Sequence, residues 1–451
     1  MKSVVPRILI SGTSSGCGKT TVCCAVMKAL ADRGLRVGAQ KCGPDYIDPM
    51  FHAAITGEKG ANLDGYFFDD DTLAFLFQKN ARGKDISIIE GVMGCYDGIG
   101  MTDAASAHDI SVRTRTPVVL VVPAKGSALS AIALLEGFVT FSADNLIRGV
   151  IFNRCTPSTY AALARETEKR FAGRVRPLGF MPDMPECALE SRRLGLVTAR
   201  EVGDLHEKLG ALSRQAEKSI DIDALLSLAV EAAPIEYKNL DLPRFEGVRI
   251  AVARDEAFLF YYEDSLSALE SMGAELVDFS PLYDGALPEN IHGLYIGGGY
   301  PELYAEKLSK NAPMREAVKA ALTRGLPCIA ECGGFMYLTE YIGKHPMVGF
   351  ISGKSSDAGA LPRFGYVELT AKRDCMLCRA GEKIRAHEFH YWDSDFAGGA
   401  FEAKKPTGRS WDCVFAGERL YAGYPHFHFY ANTRFAVNFY KTCLEEKHKN
   451  D

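Results

Sequence analysis

The sequence lacks the features that would send a chain to a membrane or to nucleic acid. No apolar run approaches the roughly 20 residues needed to cross a bilayer, and Lys and Arg are never gathered into a block. With a net charge of −5 there is no electrostatic footprint for an anionic surface or a phosphate backbone, so small molecules are the expected partners, with no nucleic acid and no membrane. Internal repeats and low-complexity tracts are absent, which sets solenoid architectures aside. Among thirteen cysteines only one C-x-x-C occurs, at Cys375 and Cys378, beside the adjacent pair Cys23 and Cys24. A four-ligand zinc site needs a second such pair, so reduced thiols and no structural metal are expected. The N-terminal MKSVVPRILISG runs into a Gly-rich loop rather than a cleavage site, as expected of a cytoplasmic chain with nothing removed.

What is present is a long chain with enough apolar residues for two cores: 451 residues, 47% of them hydrophobic. The first half alternates β-branched runs with helical patterns: RILIS (7–11), ISIIE (86–90), PVVLVVP (117–123) and RGVIFN (148–153). Continuous apolar strands between helices predict a parallel sheet covered on both faces. The pattern lapses in APIEYKNLDLPRFEG, which reads as a linker, and resumes with VRIAVA, AELVDFS, GLYIGGG and PCIAEC, with a helix expected over 311–324. Two α/β domains follow, 1–232 and 247–451.

The first chemistry-bearing segment is ILISGTSSGCGKTTVCCAVMK (8–28), a strand, a Gly/Ser turn and a helix opening at Gly18, Lys19, Thr20 and Thr21. Small residues such as Gly12, Thr13, Gly16 and Gly18 let backbone N–H groups wrap phosphates, Lys19 reaches the terminal phosphates, and Thr20 can ligate magnesium. The spacing departs from the usual P-loop, because the residue five before Gly18 is Thr13 and the nearest glycine is Gly12. Glu90 closes a strand and Asp97 follows in a Gly-rich loop, where ligands of such sheets collect; Glu90 is a candidate for holding magnesium, Asp97 for the acceptor substrate. Lys41, Asp45, Tyr46 and Asp48 crowd the short loop KCGPDYIDP, which could equally be a solvated turn. Asn153, at a strand end, could contact adenine or form a turn.

The second is LPCIAECGGFMYL, in which Cys332 follows a buried strand and precedes a helix, as in a nucleophile elbow. A thiol there should be exposed and favoured as thiolate by the helix N-terminus. Gly297, Gly298 and Gly299 follow another strand, and their amides, with that of Gly333, could hold a tetrahedral oxyanion. His426 and His428 in AGYPHFHFY alternate, so in an extended segment they share a face and one serves as base, His426 by choice and His428 as the fallback. His387 and His390 in HEFHY are read as packing or substrate contacts. No acid follows the histidines in P-x-E form, so a Cys332–His426 dyad is expected.

Taken together, GTSSGCGKTT, KCGPDY, EGVMGCYDG, DEAFLFYY, GGGYPELYA, AECGGFMYL, RFGYVE, HEFHY and the final H-F-H resemble the cobyrinic acid a,c-diamide synthases, over almost the whole chain. The loop variant is similar to that of dethiobiotin synthetase. The resemblance implies a P-loop NTPase-type parallel sheet that binds ATP and amidates the acceptor. A class I glutamine amidotransferase domain of flavodoxin-like fold follows, with a triad that lacks the usual acid. It departs at Pro425, where relatives commonly carry leucine. ATP with magnesium would phosphorylate the c and then the a acetate of the macrocycle, and Cys332 would release ammonia from glutamine to displace the phosphate. Lys19 and Thr20 would serve nucleotide and magnesium, while Asp45, Tyr46, Asp48, Glu90 and Asp97 would line the acceptor and metal region. The implied partners are ATP, L-glutamine and cobyrinate, or hydrogenobyrinate or nickel-sirohydrochlorin, whose enzymes share these motifs; a homodimer is compatible with it. The alternative from another class is a partitioning or switch ATPase with a docking domain, which the thiol elbow would not serve.

Overall fold

A computed structural model describes residues 2–187, 191–192, 195–196, 204–361 and 363–450. The chain divides into two units, Met1–Leu240 and Asp241–Asp451.

In the first unit the strands are β1 (Arg7–Gly12), β2 (Val37–Cys42), β3 (Ala61–Leu63), β4 (Ile86–Glu90), β5 (Val118–Pro123), β6 (Ile147–Asn153) and β7 (Arg176–Met181). They form one parallel sheet in the order β3-β2-β4-β1-β5-β6-β7. Every residue of β1 and β4 is buried, as helices on both faces require. Helix α1 (Lys19–Asp32) follows β1, and α2 (Asp48–Thr56) follows β2. Because β1 and β2 both flank β4, Ile10 and Lys41 each stand opposite Glu90, so the loops after these three strands converge at one end of the sheet. The segment read as a linker contributes a short strand, Ile235–Glu236, paired with Lys2–Ser3.

In the second unit β8 (Val248–Ala253), β9 (Ala274–Phe279), β10 (Gly293–Ile296) and β11 (Cys328–Glu331) belong to one sheet. An antiparallel hairpin, β12 (Arg363–Ala371) and β13 (Lys383–His390), leads to β14 (Phe401–Lys404) and β15 (Ser410–Cys413). The edge strand β16 (Phe415–Ala416), then β17 (Leu420–Gly423), and finally β18 (His426–Phe427) end the strand series. The first sheet runs β9-β8-β10-β11-β17-β16, parallel except at β16; the second, antiparallel, runs β15-β14-β12-β13-β18. The expected helix over 311–324 is Ala312–Thr323, capped by the Asn311 side chain on the Met314 amide. Strand alternation divides the core in two. Ile250, Val252, Tyr295, Ile329 and Tyr421 pack with the hairpin sheet, whereas Ala251, Leu294, Ile296, Cys328 and Ala330 pack on the opposite face. By the same period, Glu331 continues the Ile329 face, where β18 lies.

Among the described residues no helix is long and apolar enough to cross a membrane.

Candidate functional site

The phosphate loop of the first unit is held at its start by backbone. Cys95 N donates to Gly12 O (2.8 Å) and Thr13 N to Val121 O (3.3 Å). Gly16 and Gly18 take left-handed φ values of 75° and 92°, which a side chain would strain. A Cβ on Gly18 would also lie 2.0 Å from Asn153 Nδ2, whose amide donates to Cys17 O at 2.8 Å. Asn153 therefore clamps the loop from β6, with its amide nitrogen committed to the protein. Lys19 Nζ donates to Ser14 O (3.1 Å), folded over the loop it would exchange for phosphate oxygens, and burial pulls its pKa down. Thr21, on the first turn of α1, is half-buried.

Behind the loop lies a buried charge cluster. Thr20 Oγ1 donates to Glu90 Oε1 (2.7 Å), Lys41 Nζ reaches the same oxygen (3.2 Å), the Gly91 carbonyl (3.0 Å) and Asp48 Oδ2 (2.5 Å), and His52 Nε2 pairs with Glu90 Oε2 (2.6 Å). Burial alone would neutralise Glu90, but Lys41 and then His52 outweigh it and hold the carboxyl well below its ordinary range. Lys41 is held above its ordinary range because Asp48 and Glu90 overcome its desolvation. Burial pushes Asp48 up, with Asp45 and Glu90 adding repulsion. The KCGPDYIDP segment is thus no solvated turn: Asp48 begins α2 and is almost wholly inside, while Asp45 Oδ1 accepts from the amides of Ile47 (2.8 Å) and Asp48 (3.1 Å). Tyr46 is buried beside them, and Asp97 is exposed on the next loop, accepting from Gly94 N (2.9 Å).

The ligand atoms of Cys23, His52 and Glu90 also lie within 4.8 Å of one another. Burial raises the Cys23 thiol, and it is the bonds from His52 and Lys41 to the two Glu90 oxygens that fix Glu90.

In the second unit Cys332 sits between β11 and α3 (Gly333–Leu338) with φ 48° and ψ −102°, the strained turn of an elbow. Register places it: Glu331 pairs with Gly423, and Cys332 N donates to Gly423 O (2.7 Å), three residues before His426. The expected exposed thiolate is corrected here. Cys332 is only 6% exposed, and burial followed by the charge of Glu302 pushes its thiol up, outweighing the Gly333 amide that would lower it. The resting thiol is neutral and needs a base.

The glycine run after β10 closes on the candidate base, His426. A Cβ at Gly333 would lie 3.1 Å from Gly299 N, and one at Gly298 2.5 Å from His426 Cε1 and 3.3 Å from Nε2. Gly297 N donates to Tyr261 Oη (2.8 Å) and Gly298 N faces Phe260 O (3.3 Å), so Gly299 and Gly333 are the neighbouring amides best placed for an oxyanion. His426 Nδ1 lies 3.3 Å from Glu331 Oε2, while His387 stacks on its ring at 5.1 Å and pairs through Nδ1 with Tyr262 Oη (3.1 Å). Burial, then His426, keeps His387 neutral. His428 Nδ1 instead caps Tyr430 N (3.1 Å), and His390 bridges Glu388 Oε2 (3.2 Å) and Trp392 O (2.6 Å).

The sequence reading missed His52, which α2 brings to Glu90, and the contact of Glu331 with His426. The signal for Glu331 was an acid directly before the thiol on a strand whose period turns it to the histidine side.

Comparison with known proteins follows the same division. Residues 8–196 match the CobQ/CobB/MinD/ParA nucleotide binding domain and residues 249–434 the CobB/CobQ-like glutamine amidotransferase domain. A cobyrinate a,c-diamide synthase of Listeria monocytogenes serotype 4b (strain F2365) is 40% identical over 94% of this chain and 97% of its own. That of Clostridium acetobutylicum is 41% identical over 95% and 98%, and that of Thermoplasma volcanium 38% over 99% of each.

Proposed function

The chain belongs to the cobyrinate a,c-diamide synthase family, and on that premise we propose that it amidates the a and c acetates of cobyrinate, with ATP as activator and glutamine as nitrogen donor. The observation that carries the substrate is similarity extending over both units in full-length synthases. It is as an ATP-dependent, glutamine-using ligase, not as a switch ATPase with a docking domain, that the paired domains make sense.

The first unit activates the acceptor. Lys19 leaves Ser14 O for the terminal phosphates, and the loop amides around Gly16 and Gly18 hold the rest. Thr20 and Glu90 offer a hydroxyl and an ionised carboxylate within 2.7 Å of each other, hard oxygen donors that fit magnesium. When bound, magnesium would neutralise charge on the phosphate oxygens. Lys41 and His52 hold Glu90 ionised for this, and Asp48 fixes Lys41. Asp45, Tyr46 and exposed Asp97 flank the region where the macrocycle carboxylate attacks the γ-phosphorus, giving acyl phosphate and ADP. Asn153 holds the loop in register through Cys17 O, and contact with adenine is its proposed second role.

The second unit supplies ammonia. His426 takes the Cys332 proton, the thiolate attacks the glutamine amide carbon, and the amides of Gly299 and Gly333 hold the oxyanion, with Gly298 leaving room for the ring. Ammonia leaves with a proton returned by His426, and water then hydrolyses the thioester to glutamate. Ammonia attacks the acyl phosphate, phosphate departs, and the amide remains.

Cobyrinate, hydrogenobyrinate and nickel-sirohydrochlorin, each incubated with ATP and glutamine and followed by mass spectrometry, test the substrate. Two amides should form on cobyrinate at the greatest kcat/KM; preference for another ring would overturn the assignment.

A further inference from the structure

The triad of this glutaminase lacks an acid after its histidines, yet the histidine does not lack a carboxylate. His426 Nδ1 lies 3.3 Å from Glu331 Oε2, and both side chains are buried. Glu331 is held in turn: Tyr295 Oη reaches Oε1 at 3.4 Å, and strand pairing with Gly423 fixes its backbone. Its direction follows from the fold. Ile329 and Glu331 share the face of β11 turned to the hairpin sheet, where β18 carries His426, whereas Cys332 has already turned into the elbow.

We propose that Glu331, the residue directly before the nucleophile, is the positioning acid of the glutaminase site: it accepts from His426 Nδ1–H, fixes the tautomer whose Nε2 takes the Cys332 proton, and stabilises the resulting imidazolium. The role is that of the triad carboxylate. Here it comes from β11 itself, so acid and nucleophile are set by one strand end. The inference rests on Cys332 and His426 being the glutaminase pair.

Other groups frame this relay. His387 stacks on His426 from β13 and is held neutral, so it adds no competing charge. Tyr261, Tyr295 and Tyr421 face Glu331 with hydroxyls kept protonated by burial, and Glu302 and Glu388 act on Cys332. Burial raises Glu331 itself, and His426 offsets only part of that rise.

Three variants of the full-length chain, Cys332→Ala, Glu331→Gln and Glu331→Asp, decide the matter when glutamine hydrolysis and ammonia-driven amidation are both followed against pH. Glu331→Gln should lose about 10²-fold to 10⁴-fold in glutaminase kcat while ammonia-driven amidation is unchanged. Glu331→Asp should restore part of the rate. Retained hydrolysis in Glu331→Gln, no recovery in Glu331→Asp, or equal loss of both activities overturns the proposal. Retained hydrolysis in Cys332→Ala overturns the pair and the role of Glu331 with it. Should Glu331→Gln fail to fold, nitrogen NMR of labelled histidine in the wild-type protein gives the answer: the Nδ1–H tautomer of His426 is expected, and the Nε2–H tautomer contradicts the role.

Discussion

Gly298→Ala isolates the placement of the catalytic base from every other property of the second unit. Gly298 is not among the glycines with a left-handed φ, so alanine adds no backbone strain there. Its Cβ, however, would lie 2.5 Å from His426 Cε1 and 3.3 Å from Phe260 Cβ. An ordinary carbon contact is about 3.5–4.0 Å, so the ring must retreat by roughly 1 Å. It cannot do so freely, with Glu331 on Nδ1 and His387 stacked on its face. Overpacking of this kind costs about 1–3 kcal/mol, and a shift of about 1 Å in a reacting group costs on the order of 10²-fold in rate. Glutamate release should therefore fall about 10²-fold, while amidation driven by added ammonium salt stays at the wild-type rate. Hydrolysis within twofold of wild type, or an equal loss with ammonia, would refute the placement of His426 against the glycine run.

Lys41→Met removes the one cation shared by Asp48 and Glu90 and leaves two buried carboxylates facing each other. Unfolding in urea should show a loss of about 3–5 kcal/mol; a change below about 1 kcal/mol would mean that the cluster is not held by this charge. Thiol labelling has a worked sign as well. The hydrogen bond with Cys378, with Sγ atoms 3.6 Å apart, brings Cys375 down to about 7, whereas burial pushes Cys332 up. Iodoacetamide with peptide mapping should label partly exposed Cys375 with a midpoint near pH 7, as its thiolate forms above that value, and should reach Cys332 only at higher pH unless glutamine-site chemistry recruits His426. Equal rates at pH 7 would contradict both shifts.

Local signals reached far into this fold. The runs over 86–90 and 148–153 became β4 and β6 because strands buried on both faces must be apolar throughout. VGAQKC over Val37–Cys42 escaped that reading, since Gln40 and Lys41 break the run; they are tolerated inside because Gln40 bonds Phe77 O and Ser87, and Lys41 meets two carboxylates. Cys332 and the P-loop were legible because turn, strand and helix are contiguous. Partnerships across the chain were not: Glu331 and His426 are 95 residues apart, Asn153 and Cys17 136, and only the folded sheets join them. The thiol was misjudged as exposed for the same reason: beside it Gly333 packs against Gly299 and Pro301, which the elbow motif does not contain.

Cys332→Ala, assayed with cobyrinate, ATP and glutamine whose amide nitrogen carries a heavy isotope, tests the coupling of the two chemistries most directly. Wild-type protein should place two labelled nitrogens on the macrocycle, and the variant none, while free ammonium restores both amides in the variant. Labelled product from Cys332→Ala, or no rescue by ammonium, would contradict the division of labour between thiol and ATP site.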